Sequence, residues 1–150
     1  MPDVGFAGGG KMDTYLRQIV SRVDVPKEVR VGFLENATYP DGTSVPMVAA
    51  IQEFGAPSRG IPPRPFFRQM IAAHKDEWGA ELGRTLLAKD YNAAAALGSM
   101  GEVISGELRQ SIVDFSGVPL APETIARKGS SKPLVDTGHM FQSIGHEVTG

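Results

Sequence analysis

The sequence contains no cysteine among its 150 residues. A disulfide framework, a thiolate nucleophile and a cysteine-based zinc site are therefore excluded, and the redox environment of the protein is left open. No apolar run approaches the roughly 20 residues needed to cross a bilayer, and the N-terminal MPDVGFAGGGK lacks the charged and then apolar order of a signal peptide. From these absences we expect a protein that is made in a cytoplasm and stays there.

Strong charge of either sign is absent as well, because the formal net charge is -2. A dedicated nucleic-acid binder usually presents a strongly basic face, so any contact with DNA is expected to be local or passive. The length fits one domain whose core is large enough to fold without disulfides or metal.

The stretch GFAGGGKM has the glycine and lysine spacing of a phosphate-binding loop, at Gly5, Gly10 and Lys11. Such a loop needs a serine or threonine after the lysine to hold magnesium, and a preceding strand to aim its amides. Met12 follows Lys11, and only four residues precede Gly5. The sequence therefore predicts an N-terminal arm without nucleotide binding.

No other catalytic or metal-binding pattern is present. Neither H-E-x-x-H nor G-x-S-x-G occurs, so His74, His139 and His146 are expected to be core or surface residues. Carboxylates such as Glu53 and Asp136 are expected to act as caps or ion-pair partners near helix ends. We predict a protein that is not an enzyme and has no cofactor or metal.

Three- and four-residue spacings of apolar side chains predict helices, the first of them over 12–23. Further helices are expected over 46–54, opening at Ser44 and closing at a left-handed Gly55, then over 65–82, 92–112 and 122–128. The first helix carries an apolar stripe with Arg17 and Arg22 outside it, formed by Met12, Tyr15, Leu16, Ile19, Val20 and Val23.

Alternating apolar residues predict two strands, over 28–34 and 144–148, which we expect to pair. Asp136 or Thr137 is expected to cap one last helical turn before the second strand. The fold class is therefore α+β, a mostly helical single domain around a small antiparallel sheet. We expect this domain to cover residues 12–150, after a flexible arm of residues 1–11.

The segment EFGAPSRGIPPRPFFR, residues 53–68, places two aromatic residues between arginines in a proline-rich loop. Prolines lower the entropy lost on ordering, aromatic rings supply contact area, and arginines bind carboxylates through two hydrogen bonds. This combination is enriched at interface hot spots. We expect a subunit or a partner to cover the segment, with one of Phe66 and Phe67 beginning a core helix and the other facing outward.

Three ordered stretches of the chain point to one family: VRVGFLE, then PDGTSVPMVAAIQEFGAP running into IPPRPFFR, and finally PLAPETIARKGSSKPLVDTGHMFQSI. Together they resemble the tail-completion or neck proteins of long-tailed bacteriophages and prophages, also called head–tail joining or virion-morphogenesis proteins. The resemblance covers residues 29–144. The AGGGK arm and the alanine-rich helix are outside the matching pattern.

The resemblance implies a structural virion protein without catalysis, which forms a homo-oligomeric ring at the neck or at the top of the tail. The ring is expected to be a hexamer, or alternatively a dodecamer, that joins the head connector to the tail tube or tail terminator. DNA would pass through its lumen without sequence-specific binding. The protein would be assembled in the cytoplasm of the host bacterium and would end up in the virion.

A closed ring uses heterologous contacts, so each copy needs two unlike adhesive surfaces. We expect these surfaces to be the GIPPRPFF and PLVDTG segments, with Arg64 or Arg68 meeting an acidic group such as Asp136 or Glu53. The expected interface residues are Glu53, Phe54, Arg64, Phe66, Arg68, Asp136 and Thr137.

One alternative function is a DNA-binding module that uses the basic loop RKGSSK, with Arg127, Lys128 and Lys132 as the contacts. The simpler interpretation of this loop is a solvated surface segment. The affinity of a phosphate-binding module falls steeply as salt rises, whereas a passive conduit binds little DNA at physiological salt. A hydrolase with an unrecognised site is disfavoured because no catalytic motif is present.

We predict that the purified protein hydrolyses neither ATP nor GTP, because Met12 has no hydroxyl to hold magnesium beside a phosphate loop. Phosphate release should be the same for the wild-type chain and for a Lys11→Ala variant. Turnover by the wild-type chain above that control would contradict the prediction.

Overall fold

The computed structural model describes residues 9–24, 28–115 and 138–150. In these ranges the chain is mostly helical with a two-stranded antiparallel sheet, which confirms the predicted α+β class. The helix predicted over 122–128 lies outside the described residues. The elements in chain order are α1 (Gly9–Val23), β1 (Glu28–Phe33), α2 (Val45–Phe54), α3 (Phe66–Ala88), α4 (Ala93–Asp114), α5 (His139–Gln142) and β2 (Ile144–Thr149).

The two longest helices, α3 and α4, pack along each other as an antiparallel hairpin. Asp90 and Tyr91 turn the chain between them with positive φ angles of 51° and 59°. The side chain of Asn92 then caps α4, since its Oδ1 accepts a hydrogen bond from the amide of Ala95 at 3.0 Å. Both helices begin within one residue of their predicted starts because these start signals are local.

The two strands pair as predicted. Val29 lies opposite Val148 and Phe33 lies opposite Ile144, so the alternating apolar residues of both strands share one face. An isolated pair of strands is marginally stable, and here both strands pack against α4. Arg109 of α4 also donates a hydrogen bond to the carbonyl of Ile144 at 2.8 Å.

A contiguous core fills the space between the hairpin, α2, α5 and the sheet. The ring of Phe66 meets the ring of Phe33 edge to face, with centroids 6.2 Å apart. The three- and four-residue spacing that predicts α4 is also the spacing of its buried residues. The buried members of the core are Val45, Ala49, Phe66, Met70, Leu108, Ile112, Phe115, Met140 and Ile144.

Helix α1 begins at Gly9, three residues before the predicted start at Met12. Glycine lowers helix stability without forbidding the helical conformation, and Thr14 donates a hydrogen bond to the carbonyl of Gly10 at 2.9 Å. None of the residues of α1 is buried. The helix therefore takes little part in the core.

The close approach of α4 to the sheet depends on Gly101. A Cβ atom at this position would lie 2.3 Å from Cδ2 and 3.0 Å from Cβ of His146. Contacts of this length are forbidden, and although the ring of His146 could rotate away, its Cβ is fixed in the middle of β2 and cannot move without shifting the strand. The helix and the sheet touch here because residue 101 has no side chain.

We predict that Gly101→Ala destabilises the fold by about 1–3 kcal/mol, the usual effect of extra volume at a packed contact. The matched control is Gly106→Ala on the same helix, where a Cβ would meet nothing within 4 Å. The control should instead stabilise by about 0.5–1 kcal/mol, because alanine is the better helix former. Urea unfolding followed by circular dichroism measures both, and equal shifts would contradict the close contact.

Candidate subunit interface

The loop between α2 and α3 is folded tightly on itself. Gly55 ends α2 with φ 75° and ψ 175°, a positive φ as predicted but with an extended rather than left-handed helical ψ. A Cβ at Gly55 would lie 2.8 Å from the carbonyl oxygen of Ile61 and 2.8 Å from the nitrogen of Pro63. Glycine is required here by both backbone conformation and space.

Backbone hydrogen bonds then close the loop. Ala56 and Ile61 exchange amide-to-carbonyl hydrogen bonds of 2.8 and 3.1 Å across a short 3-10 turn. The amide of Arg64 donates to the carbonyl of Gln52 at 2.6 Å. The loop therefore returns to the end of α2 and delivers the chain to α3 in a defined direction.

Glu53, a predicted interface residue, is buried and acts inside the subunit. Its carboxylate accepts hydrogen bonds from the amides of Phe67 at 2.9 Å and Arg68 at 3.2 Å. These are amides of the first turn of α3, whose N-cap residue Pro65 makes no side-chain cap. A carboxylate placed there satisfies orphan donors and complements the helix dipole. Within the subunit Glu53 of α2 supplies the cap of α3, and its place in an interface stays a prediction.

Arg64 was also predicted at the interface, and it too is buried, with 7% of its surface exposed. Its Nη1 donates to Oε1 of Gln52 at 2.9 Å, while its Nε has no hydrogen-bond partner. Burial lowers the pKa of Arg64 from its ordinary value because the charged form loses solvation. The side chain is held against the end of α2 and is not available to a partner.

The structure also decides between the two phenylalanines. Phe66 is fully buried in the core, and its carbonyl accepts a hydrogen bond from Ser111 at 2.6 Å. Phe67 is half-buried beside it. Phe66 is therefore the side chain that begins the core helix, and its place in an interface stays a prediction.

Two of the predicted interface residues are exposed. Phe54 has 66% of its surface exposed at the end of α2. The guanidinium of Arg68 lies 5.3 Å from the centroid of the Phe54 ring, a cation–π distance. Arg68 also donates from Nε to Glu53 Oε1 at 2.6 Å and from Nη2 to the Glu53 carbonyl at 3.1 Å. The predicted arginine–carboxylate pairing with Glu53 thus occurs within one chain.

Phe54 borders an open apolar groove of about 320 Å³ between α2, the start of α3 and the end of β1. Its walls are mainly carbon, and Arg68 stands at the rim. We call this surface the α2–α3 groove. Its lining residues are Phe33, Pro46, Ala49, Ala50, Glu53, Phe54, Phe66, Phe67 and Arg68.

A second exposed apolar surface is the stripe along α1. The sequence predicts this helix with its apolar side inward, but its large apolar side chains other than Ile19 are between 42% and 63% exposed. Arg22 attaches the end of α1 to the carboxylate and the carbonyl of Asp90 in the α3–α4 turn. We call this surface the α1 stripe; it consists of Met12, Tyr15, Leu16, Ile19, Val20 and Val23.

The sequence did not reveal that the α1 stripe is exposed in the folded subunit. Periodicity shows that one side of a helix is apolar, not what it packs against. One available signal was the position of the helix, between the glycine run that ends at Gly10 and the helix-ending Pro26. Such flanks separate a helix from the elements that form the core.

The remaining predicted site residues lie outside the described part of the chain. They are Arg127, Lys128, Lys132, Asp136 and Thr137. The described chain resumes at Gly138, which precedes α5. The expected contact of the loop with the PLVDTG segment and the expected DNA contacts therefore remain predictions.

The three histidines of the sequence lie apart from one another. His74 Nδ1 is 3.5 Å from Glu107, and His146 Nδ1 is 3.8 Å from Glu102. The ring of His139 packs against Tyr39 with centroids 5.6 Å apart. Among the described residues, no group of three histidine, aspartate or glutamate side chains could hold a metal ion.

Comparison with protein-family models, with curated proteins and with solved structures found no match to this chain. None of the helices in the described ranges is long and apolar enough to cross a membrane.

We predict that Glu53→Gln destabilises the fold by about 1–3 kcal/mol, because one accepting oxygen becomes an NH2 group and leaves a part-buried donor at the start of α3 unsatisfied. Glu81→Gln is the matched control, since Glu81 also pairs with an arginine, Arg84, but on an exposed helix face. That change should cost at most about 0.5 kcal/mol. Similar losses for the two variants in denaturant unfolding would refute the capping role of Glu53.

Proposed function

We propose that the protein is a structural component of a tailed-phage virion that forms a closed ring at the head–tail junction. The ring joins the head connector to the tail and leaves a lumen through which DNA passes. The proposal is supported by the three ordered sequence stretches, which are spread over residues 29–144. It is also supported by the surfaces that remain exposed in the folded subunit.

The observation that carries the proposal is that one chain presents two separate and unlike apolar surfaces. The α2–α3 groove lies at the start of α3, whereas α1 is attached at Asp90, beyond the end of α3. Helix α3 has 23 residues, so these two points are roughly 35 Å apart along the hairpin. Surfaces at opposite ends of a subunit are what a heterologous, ring-closing contact requires.

The amount of exposed apolar surface also supports an assembly role. Five large side chains of α1 are about half exposed, so the exposed area of the stripe is on the order of 500 Å². This area equals the largest apolar patch of a typical monomer, and the groove is not included in it. Apolar patches of this size are often functional, and larger ones mark sites of protein association. The stripe and the groove together suit a subunit that touches two neighbours.

The proposed role is tested in a phage that encodes this chain. Without the gene we expect DNA-filled heads and complete tails that fail to join, because the connecting ring is missing. Supplying the wild-type chain from a plasmid should restore joined, infectious particles, which electron microscopy and plaque counts measure.

Two outcomes would contradict this role. Joined particles formed in normal number without the gene would show that the chain is not the junction component. Empty heads or absent tails would place its action at an earlier step.

A labelled antibody against the chain should bind at the neck of the virion and not along the tail.

A further inference from the structure

The α2–α3 groove has the shape of a helix-binding site. Along α2 it extends over two turns, from Pro46 through Ala49 and Ala50 to Phe54. The alanines at its middle end at Cβ, so another helix can approach α2 closely there, while the larger Pro46 and Phe54 bound the two ends. The surface that best fits such a groove is the apolar side of an amphipathic helix.

The α1 stripe has the spacing that this kind of recognition uses. Met12, Leu16, Ile19 and Val23 follow one another at four-, three- and four-residue steps. From Met12 to Val23 the helix rises about 17 Å, and α2 rises about 12 Å from Pro46 to Phe54. About two turns of α1 can therefore lie along the groove with the rest of the stripe reaching past its ends.

The α1 stripe does not fill the groove of its own chain. Arg22 attaches α1 to Asp90 in the α3–α4 turn, at the opposite end of the hairpin from the groove. A stripe and a groove that lie apart within one subunit can meet between two subunits. Each copy then offers its stripe to one neighbour and its groove to another.

Charge at the edges of the two surfaces favours the same contact. Arg68 uses Nε and Nη2 for Glu53, and its Nη1 has no hydrogen-bond partner among the described residues. Asp13 borders the stripe next to Met12 and is exposed, with Arg17 of the same helix as its ion-pair partner. Contact between Asp13 and Arg68 would place the N-terminal end of α1 beside Phe54.

We infer that α1 of one copy binds in the α2–α3 groove of the next copy, a head-to-tail contact. The claim that this contact closes a ring rests on the proposed function. The contact itself would form between any two copies of the chain. Pairing of two α1 stripes with each other is the main rival. That arrangement would give a closed dimer and leave both grooves uncovered.

Two single variants disrupt the two sides of the contact. Leu16→Asp puts a charge in the middle of the α1 stripe, and Ala50→Arg blocks the groove from an exposed position on α2. The matched controls are Ser21→Asp on the polar side of α1 and Ala73→Arg, an exposed alanine of α3 that does not line the groove. All four positions are outside the buried core, so circular dichroism should show unchanged helix content.

Sedimentation velocity of the full-length chain measures the association. We expect the wild-type chain and both controls to associate, and each disrupting variant alone to bind at least tenfold more weakly. A mixture of Leu16→Asp and Ala50→Arg chains should form a one-to-one dimer. The first variant still has an intact groove and the second still has an intact stripe, so one contact can form and no more.

Several results would overturn the inference. They are a mixture that stays monomeric, an Ala50→Arg chain that associates like the wild type, and a wild-type chain that remains monomeric at every concentration. The second result would indicate pairing of α1 with α1. Dimers in the mixture together with normal head–tail joining by the Leu16→Asp chain would keep the contact but show that ring closure does not use it, whereas dimers in the mixture together with normal joining in the absence of the gene would keep the contact and reject the proposed function.

Discussion

The carboxylate of Glu53 joins the end of α2 to the start of α3, and the placement of the surrounding elements depends on it. Helix α3 has no side-chain cap of its own, so its first amides bond to an acidic group from the preceding helix. The loop that separates the two helices can return to this point because Gly55 has no Cβ to collide with it. Once α3 starts there, Phe66 enters the core between β1 and α4.

This arrangement also determines which part of the proline-rich segment remains at the surface. Arg64 and Phe66 turn inward, while Phe54 and Arg68 border an open groove. The rigidity that a hot-spot surface needs is supplied by the backbone bonds of the loop and by Glu53, not by a partner. The segment thus both holds the α2–α3 groove in place and supplies part of its lining.

The hairpin of α3 and α4 separates the two exposed surfaces. Its turn holds α1 through the Arg22–Asp90 contact, and its other end carries the groove. Because α4 also carries the sheet, held close by Gly101, the two ends belong to one packed body. A rigid subunit with unlike surfaces at its two ends is suited to repeat in a ring.

Local signals in the amino-acid sequence were enough to predict the start of α2 at Ser44, the start of α4 near Asn92, the apolar spacing along α4, and the alternation that pairs β1 with β2. Only the tertiary structure decided that the side chains of Glu53, Arg64 and Phe66 are buried. Their burial depends on contacts between distant parts of the chain, such as those of Phe66 with Ser111 and with Phe33. It likewise decided that the apolar side of α1 faces outward. Periodicity fixes which side of a helix is apolar, but whether that side is covered depends on where the rest of the chain lies.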